Sequence, residues 1–129
     1  PMPTDLRDAT LGQIAVRVKD VARATAFYRD ALGLPLLFEF PGLAFFDCGG
    51  VRLMLARAEK SELDHPASIL YYRVADIEAS CATLESRGVE FVERPRAIHR
   101  FPDHELWMAF FLDSEGNHAA LMAERPITR

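Results

Sequence analysis

From residue 13 the chain alternates. Ile14, Val16 and Val18 fall between Gln13, Ala15, Arg17 and Lys19, and that period of two predicts a strand over Gln13–Val18 with one buried face. Asp20 stands where a helix N-cap belongs. Val21, Ala24, Phe27, Tyr28, Ala31 and Leu32 then recur at helical spacing until Gly33, which predicts a helix over Val21–Leu32 with a glycine stop. The pattern is written twice. Ile69–Val74 repeats the strand and its Arg-Val-x-Asp ending, Ile77–Arg87 repeats the helix, and Gly88 repeats the stop.

Three further strands follow each helix. In the first half these are Leu34–Phe40, Leu43–Asp47 and Val51–Ala56, separated by Pro41-Gly42 and Cys48-Gly49-Gly50. In the second half they are Val89–Glu93, Trp107–Asp113 and His118–Ala123, with a turn at Ser114–Asn117 and a loose tail from residue 124. The reading is one α+β domain over residues 11–124. Module one spans 11–57, a charged linker 58–68, and module two 69–124, each of βαβββ pattern. The offset between modules is 56 residues at Arg17/Arg73 and Asp20/Asp76, 55 at Gly33/Gly88 and 66 at Asp47/Asp113. Module two therefore gains 11 residues, which fall within Pro95–Leu106. A long loop carrying His99, Asp103, His104 and Glu105 in an otherwise economical chain reads as functional.

A chain of 129 residues, half of them hydrophobic, is enough for one core. No apolar run approaches the roughly 20 residues of a membrane span, and Pro1–Thr10 holds no signal-peptide apolar segment. Pro1 ahead of Met2 points to a trimmed or added start. The net charge of −4 is mixed and lacks a basic cluster, which argues against nucleic acid. Cys48 and Cys81 form no zinc spacing. Cys81 lies on the apolar helix stripe as a small buried hydrophobe, and the lack of a disulfide framework points to the cytoplasm.

Paired βαβββ units, Val-x-Asp before a helix, Phe27-Tyr28 within it, Leu32-Gly33-Leu34 after it and Asp113-x-x-Gly116-Asn117 near the end resemble the vicinal oxygen chelate superfamily. That group includes glyoxalase I, extradiol dioxygenases and bleomycin resistance protein. The resemblance implies a curved mixed sheet forming a half-barrel cleft, a small-molecule ligand in it and a homodimer. It also implies a divalent metal, held at positions that fall here on Gln13, Met54, Ile69 and Ala120. Ile and Ala offer no donor atom and a thioether suits no hard ion, so no metal and no other cofactor is expected.

Other chemistry must then come from the cleft. Arg17 and Arg73 share the parity of the former ligand positions and face it, each ready to hold a carboxylate or phosphate. The glyoxalase I arginine that resembles Arg17 helps hold a glutathione carboxylate. The plainer alternative pairs each arginine with a surface acid. Two cations facing one cavity call for something negative between them, either a ligand or a protein carboxylate such as Glu39 or Glu93. Gln13, Met54, Ile69, Tyr71 and Ala120 line an apolar floor, unless side chains simply close it. Trp107 either stacks on a flat ligand or joins the core. His118 shares the parity of Ala120. His104 is the candidate general base if its loop folds over the cleft, against the ordinary alternative of a solvated side chain. The expected function is a metal-independent small-molecule binder of the glyoxalase/bleomycin resistance type. The alternative is a lyase, isomerase or dioxygenase-like enzyme of the same superfamily.

Overall fold

The computed structural model describes residues 4–58 and 68–127. Most of the expected linker and the last two residues lie outside them. The expected βαβββ order appears twice. Module one contains β1 (Gln13–Arg17), α1 (Val21–Ala26), β2 (Leu36–Phe40), β3 (Leu43–Cys48) and β4 (Val51–Ala56). Module two contains β5 (Leu70–Arg73), α2 (Ile77–Ser86), β6 (Glu90–Arg100), β7 (His104–Leu112) and β8 (His118–Pro126). The strands form two four-stranded mixed sheets, ordered β1-β4-β3-β2 and β5-β8-β7-β6. In each, the first strand pairs in parallel with the last, and the other neighbours are antiparallel.

The helices start as their caps require. The Asp20 carboxylate accepts from the Arg23 amide at 3.0 Å, and Asp76 accepts from the Ala79 amide at 3.1 Å. Each helix covers one face of its own sheet. In module one Val16, Val18, Ala24, Tyr28, Phe46, Leu53 and Leu55 make that core. In module two Ile77, Cys81, Leu84, Phe111, Leu121 and their neighbours do so, with Cys81 1% exposed as its apolar position demanded.

Three expectations are corrected. The first helix is not uniform. After Ala26 it widens into a π-helical turn over Phe27–Ala31, where the Leu32 amide donates to the Phe27 carbonyl at 3.0 Å. The offset falls from 56 to 55 across the helices, so the first helix carries one residue more, and the wide turn absorbs it. Residues 95–106 do not form a loop. Glu90–Arg100 and His104–Leu112 extend into a long hairpin, closed where the Phe101 amide donates to the His104 carbonyl at 2.8 Å. Pro95 is tolerated because β6 is the outer strand of its sheet and needs no donor there. Residues 124–126 are strand rather than tail, pairing with His104–Leu106.

The modules meet through the Asp113–Asn117 turn. Gly116 takes a φ of 77° there, which favours a residue without a Cβ. Asp113 Oδ1 accepts from the amides of Glu115 and Asn117, both at 2.8 Å. Its Oδ2 accepts from the Tyr28 hydroxyl of module one at 2.7 Å. Asn117 Nδ2 donates to the Arg17 carbonyl at 3.3 Å. Glu115 Oε1 accepts from the amides of Lys19 (2.8 Å) and Asp20 (2.6 Å), and its other oxygen pairs with Arg23. Burial alone would raise the Glu115 carboxyl, but the Asp20 amide, the Arg23 guanidinium and the Lys19 amide outweigh it and hold its pKa below the ordinary value.

Two stability predictions follow from this junction. In urea unfolding, Tyr28→Phe should cost about 1 kcal/mol, because Asp113 keeps its other donors, whereas Asp113→Ala should cost about 3 kcal/mol by stranding several buried groups at once. The lowered Glu115 pKa makes its contribution fully present above its unfolded value of about 4.3. That contribution declines as pH falls from there through the folded value. Glu115→Gln should therefore be less stable than wild type at neutral pH, with the gap closing on acidification; a gap independent of pH would refute this.

Candidate functional site

Each sheet has a face opposite its helix. In module one Gln13, Arg17, Arg52, Met54, Phe45 and Phe38 share that open face by strand parity and register. In module two the same holds for Tyr71, Arg73, Ala120, Met122, Phe110 and Met108. Gln13, Arg17, Met54, Tyr71, Arg73, His118 and Ala120 thus lie on the faces that the sequence assigned. Ile69 precedes β5 and is 47% exposed.

The four family metal positions carry a poor donor set. Gln13 and Met54 come together, with Gln13 Nε2 3.8 Å from Met54 Sδ. Ala120 lies fully buried in β8, in register with Tyr71 on one side and Phe110 on the other, whose rings meet edge to face at 6.0 Å. Only one hard oxygen donor is thus available among the four, which does not fit a hard divalent ion. Among the described residues no group of three His, Cys, Asp or Glu side chains could hold a metal.

Arg73 Nη1 lies 3.9 Å from Glu124 Oε1, and both side chains are largely exposed. The acids expected near the arginines stand elsewhere. Glu93 pairs with Arg96 at 3.5 Å, and Glu39 shares the register of Ala44, on the helix side. Trp107 is likewise corrected. It pairs with Ala123 on the helix side, packs against the module-two core, and has the Arg125 guanidinium 3.9 Å from its ring centroid.

His104 also departs from the expectation, since its segment is a β-hairpin rather than a loop. His104 is in register with Pro126 and Phe110 with Ala120, so His104 stands six residues along β8 from Ala120. That is roughly 20 Å at strand rise. Its ring stacks on Phe101 at 4.6 Å, and its Nδ1 lies 2.7 Å from Asp103 Oδ1. The bond to His104 is the main cause lowering the Asp103 pKa. His99 meets Phe101 edge to face at 4.5 Å. These groups form a cluster at the hairpin tip.

The open face of module one holds a feature missed in the sequence. Phe38 and Phe40 lie 5.8 Å apart, and Phe38 and Phe45 5.1 Å apart, as an aromatic patch. Phe38 is 44% and Phe40 55% exposed. The Arg52 guanidinium sits 5.4 Å from the Phe45 ring centroid. The available signal was Phe38-x-Phe40 beside the Pro41-Gly42 turn, which sets Phe45 opposite Phe38.

A family model described as Glyoxalase/Bleomycin resistance protein/Dioxygenase superfamily matches residues 10–121. An uncharacterized protein of Bacillus subtilis, YraH, is 31% identical, the match covering 73% of this chain and 91% of that protein. The solved antibiotic binding protein TnmS3 from Streptomyces is 27% identical with a TM-score of 0.69, over 89% of this chain and 95% of that one. A lactoylglutathione lyase from Agrobacterium tumefaciens shares the fold at 22% identity and a TM-score of 0.67, over 89% and 93% of the two chains. With its duplicated βαβββ modules, the chain belongs to the glyoxalase/bleomycin resistance protein/dioxygenase superfamily.

Proposed function

We propose that the protein is a metal-independent binder of a small organic ligand with a flat apolar body and one anionic group, held against the open sheet faces of a homodimer. The observation that carries this reading is the exposed Phe38–Phe40–Phe45 patch with Arg52 over Phe45. Exposed aromatic rings offer stacking surface worth about 1 kcal/mol per contact, and Arg52 adds a fixed cation beside it. Arg73, exposed and 3.9 Å from Glu124, supplies a second positive group on the matching face of module two. Arg17 lies on the module-one face, as its parity requires. The donor-poor family metal positions support a ligand held by stacking and charge. The likeness to an antibiotic binding protein at 27% identity supports binding rather than turnover.

A dimer covers what one chain leaves open. Leu37 on outer strand β2 is 47% exposed, and outer strand edges invite pairing or cover. Multi-angle light scattering at micromolar concentration should give twice the mass of one chain; a monomer would count against this half of the proposal.

A thermal-shift screen of aromatic acids against their neutral and cationic analogues tests the ligand. The acids should raise the melting temperature most. Phe45→Ala should weaken binding by about fivefold. Arg52→Ala, Arg17→Ala or Arg73→Ala, whichever meets the anion, should weaken it tenfold to a hundredfold, as loss of a charge-assisted contact of ~1.5–3 kcal/mol requires. Trp107 emission should change little on binding, since its ring faces the helix side. Preference for cations, or acid binding unchanged in all four variants, would refute the proposal.

A further inference from the structure

The two halves of the repeat join their third and fourth strands by turns of different length. Ile14 pairs with Leu53 as Leu70 pairs with Ala119, and Phe46 pairs with Leu53 as Phe111 pairs with Ala119. Seven positions lead from Phe46 to Leu53 and eight from Phe111 to Ala119, so the first turn is one residue short. Cys48 stands where Asp113 stands, and Gly49-Gly50 replaces Ser114-Glu115-Gly116. The longer turn puts its extra residue to use. The Glu115 carboxylate crosses to module one and accepts from the Lys19 and Asp20 amides ahead of α1, with Arg23 as its counter-charge. At the 56-residue offset, the same two amides ahead of α2 belong to Ala75 and Asp76. Neither amide has an acceptor among the described residues, and both residues are exposed. The short turn offers them two glycines and no carboxylate.

A crevice of about 630 Å³ lies at that place, with Cys48, Ala75 and Asp76 in its wall. Its volume falls within the range of small-molecule sites. Arg73 and Arg87 also line it, against one acid, Asp76. The Asp76 carboxylate is engaged by its own helix, accepting from the Ala79 amide at 3.1 Å. Asp20 accepts from the Arg23 amide in the same way, directly beside the Glu115 carboxylate, so an aspartate cap and a seated carboxylate coexist in this fold. Arg73 meets Glu124 only at 3.9 Å, and Arg87 donates to the Ala31 carbonyl at 3.3 Å. A guanidinium carries more donors than either contact uses. Burial, then Asp47, push the Cys48 thiol pKa upward, so Cys48 adds no charge of its own.

We propose that this crevice seats the carboxylate of the ligand: the Ala75 and Asp76 amides donate to it as the Lys19 and Asp20 amides donate to Glu115, and Arg73 and Arg87 balance its charge. The inference rests on the reading of an anionic ligand given above, and it singles out Arg73 among the three arginines named there. Tyr71 and Arg73 belong both to the open face of module two and to the crevice wall, so the flat body of the ligand lies along Tyr71 while its anion enters the crevice.

The test is protein-observed NMR with 2-naphthoate and its uncharged isostere 2-naphthamide. Naphthoate should shift the Ala75 and Asp76 amide resonances and bind about tenfold more tightly than naphthamide. Thr83 lines the crevice from an exposed helix position. Thr83→Glu sets a like charge beside the seat and should bind naphthoate several-fold more weakly than the isosteric Thr83→Gln. Naphthoate that moves the Phe45 and Arg52 amides and leaves Ala75 and Asp76 unmoved would overturn the seat and leave the open-face reading standing. Naphthoate that moves Ala75 and Asp76 without touching the Phe38–Phe45 patch would bear out the seat and remove the aromatic patch from the site. Equal affinity for the two probes, equal binding by the two Thr83 variants, or no binding of naphthoate would each overturn the seat.

Discussion

The buried carboxylate of Asp113 is the constraint on which the two modules depend. It accepts from its own turn on one oxygen and from Tyr28 and Asn117 on the other. An ionised group inside a protein is sustained only by such saturation. Its donors come from separate places: the turn supplies the Glu115 and Asn117 amides, the Asn117 side chain supplies its Nδ2, and the first helix presents the Tyr28 hydroxyl. That helix carries one residue too many for its length, and the π-helical turn at Phe27–Ala31 both absorbs the excess and turns Tyr28 inward. Phe27 and Leu32, from the same turn, pack against both cores. The modules are joined by side chains rather than by a shared sheet, which frees the two open faces.

How much of this could be read from the sequence differs by element. Strands β1 and β5, both helices with their aspartate caps, and the module order were legible, because their periods are regular and occur twice. The β6–β7 hairpin was not. Its register slips between Phe91 and Glu93, Glu93 and Arg96, and Ala97 and His99. Bulges destroy the alternation that marks a strand, and Pro95 with its charged neighbours then reads as loop. The facing of Trp107 was illegible for the opposite reason. Residues 106–112 are apolar on both faces, so parity alone could not say which side met the helix.

The alternation is clear in β1, and the 56-residue offset carries it to β5, which sets Gln13, Arg17, Tyr71 and Arg73 on the faces away from the helices. The aromatic patch was missed because it exists only through register, Phe45 falling opposite Phe38 across a two-residue turn.

The Tyr28–Asp113 bond also has a consequence for biosynthesis. Both partners of every β1–β4 pair are made by residue 56, so module one can close its sheet early. The groups that satisfy Tyr28 and the entry to α1 arrive only with residues 113–117. At ribosomal rates of ~5–20 residues per second, the nascent first half spends several seconds with a finished sheet and an interior hydroxyl still without its carboxylate. The first module emerges as a half-closed lock that its own twin completes, and chain elongation sets the interval before it is secured.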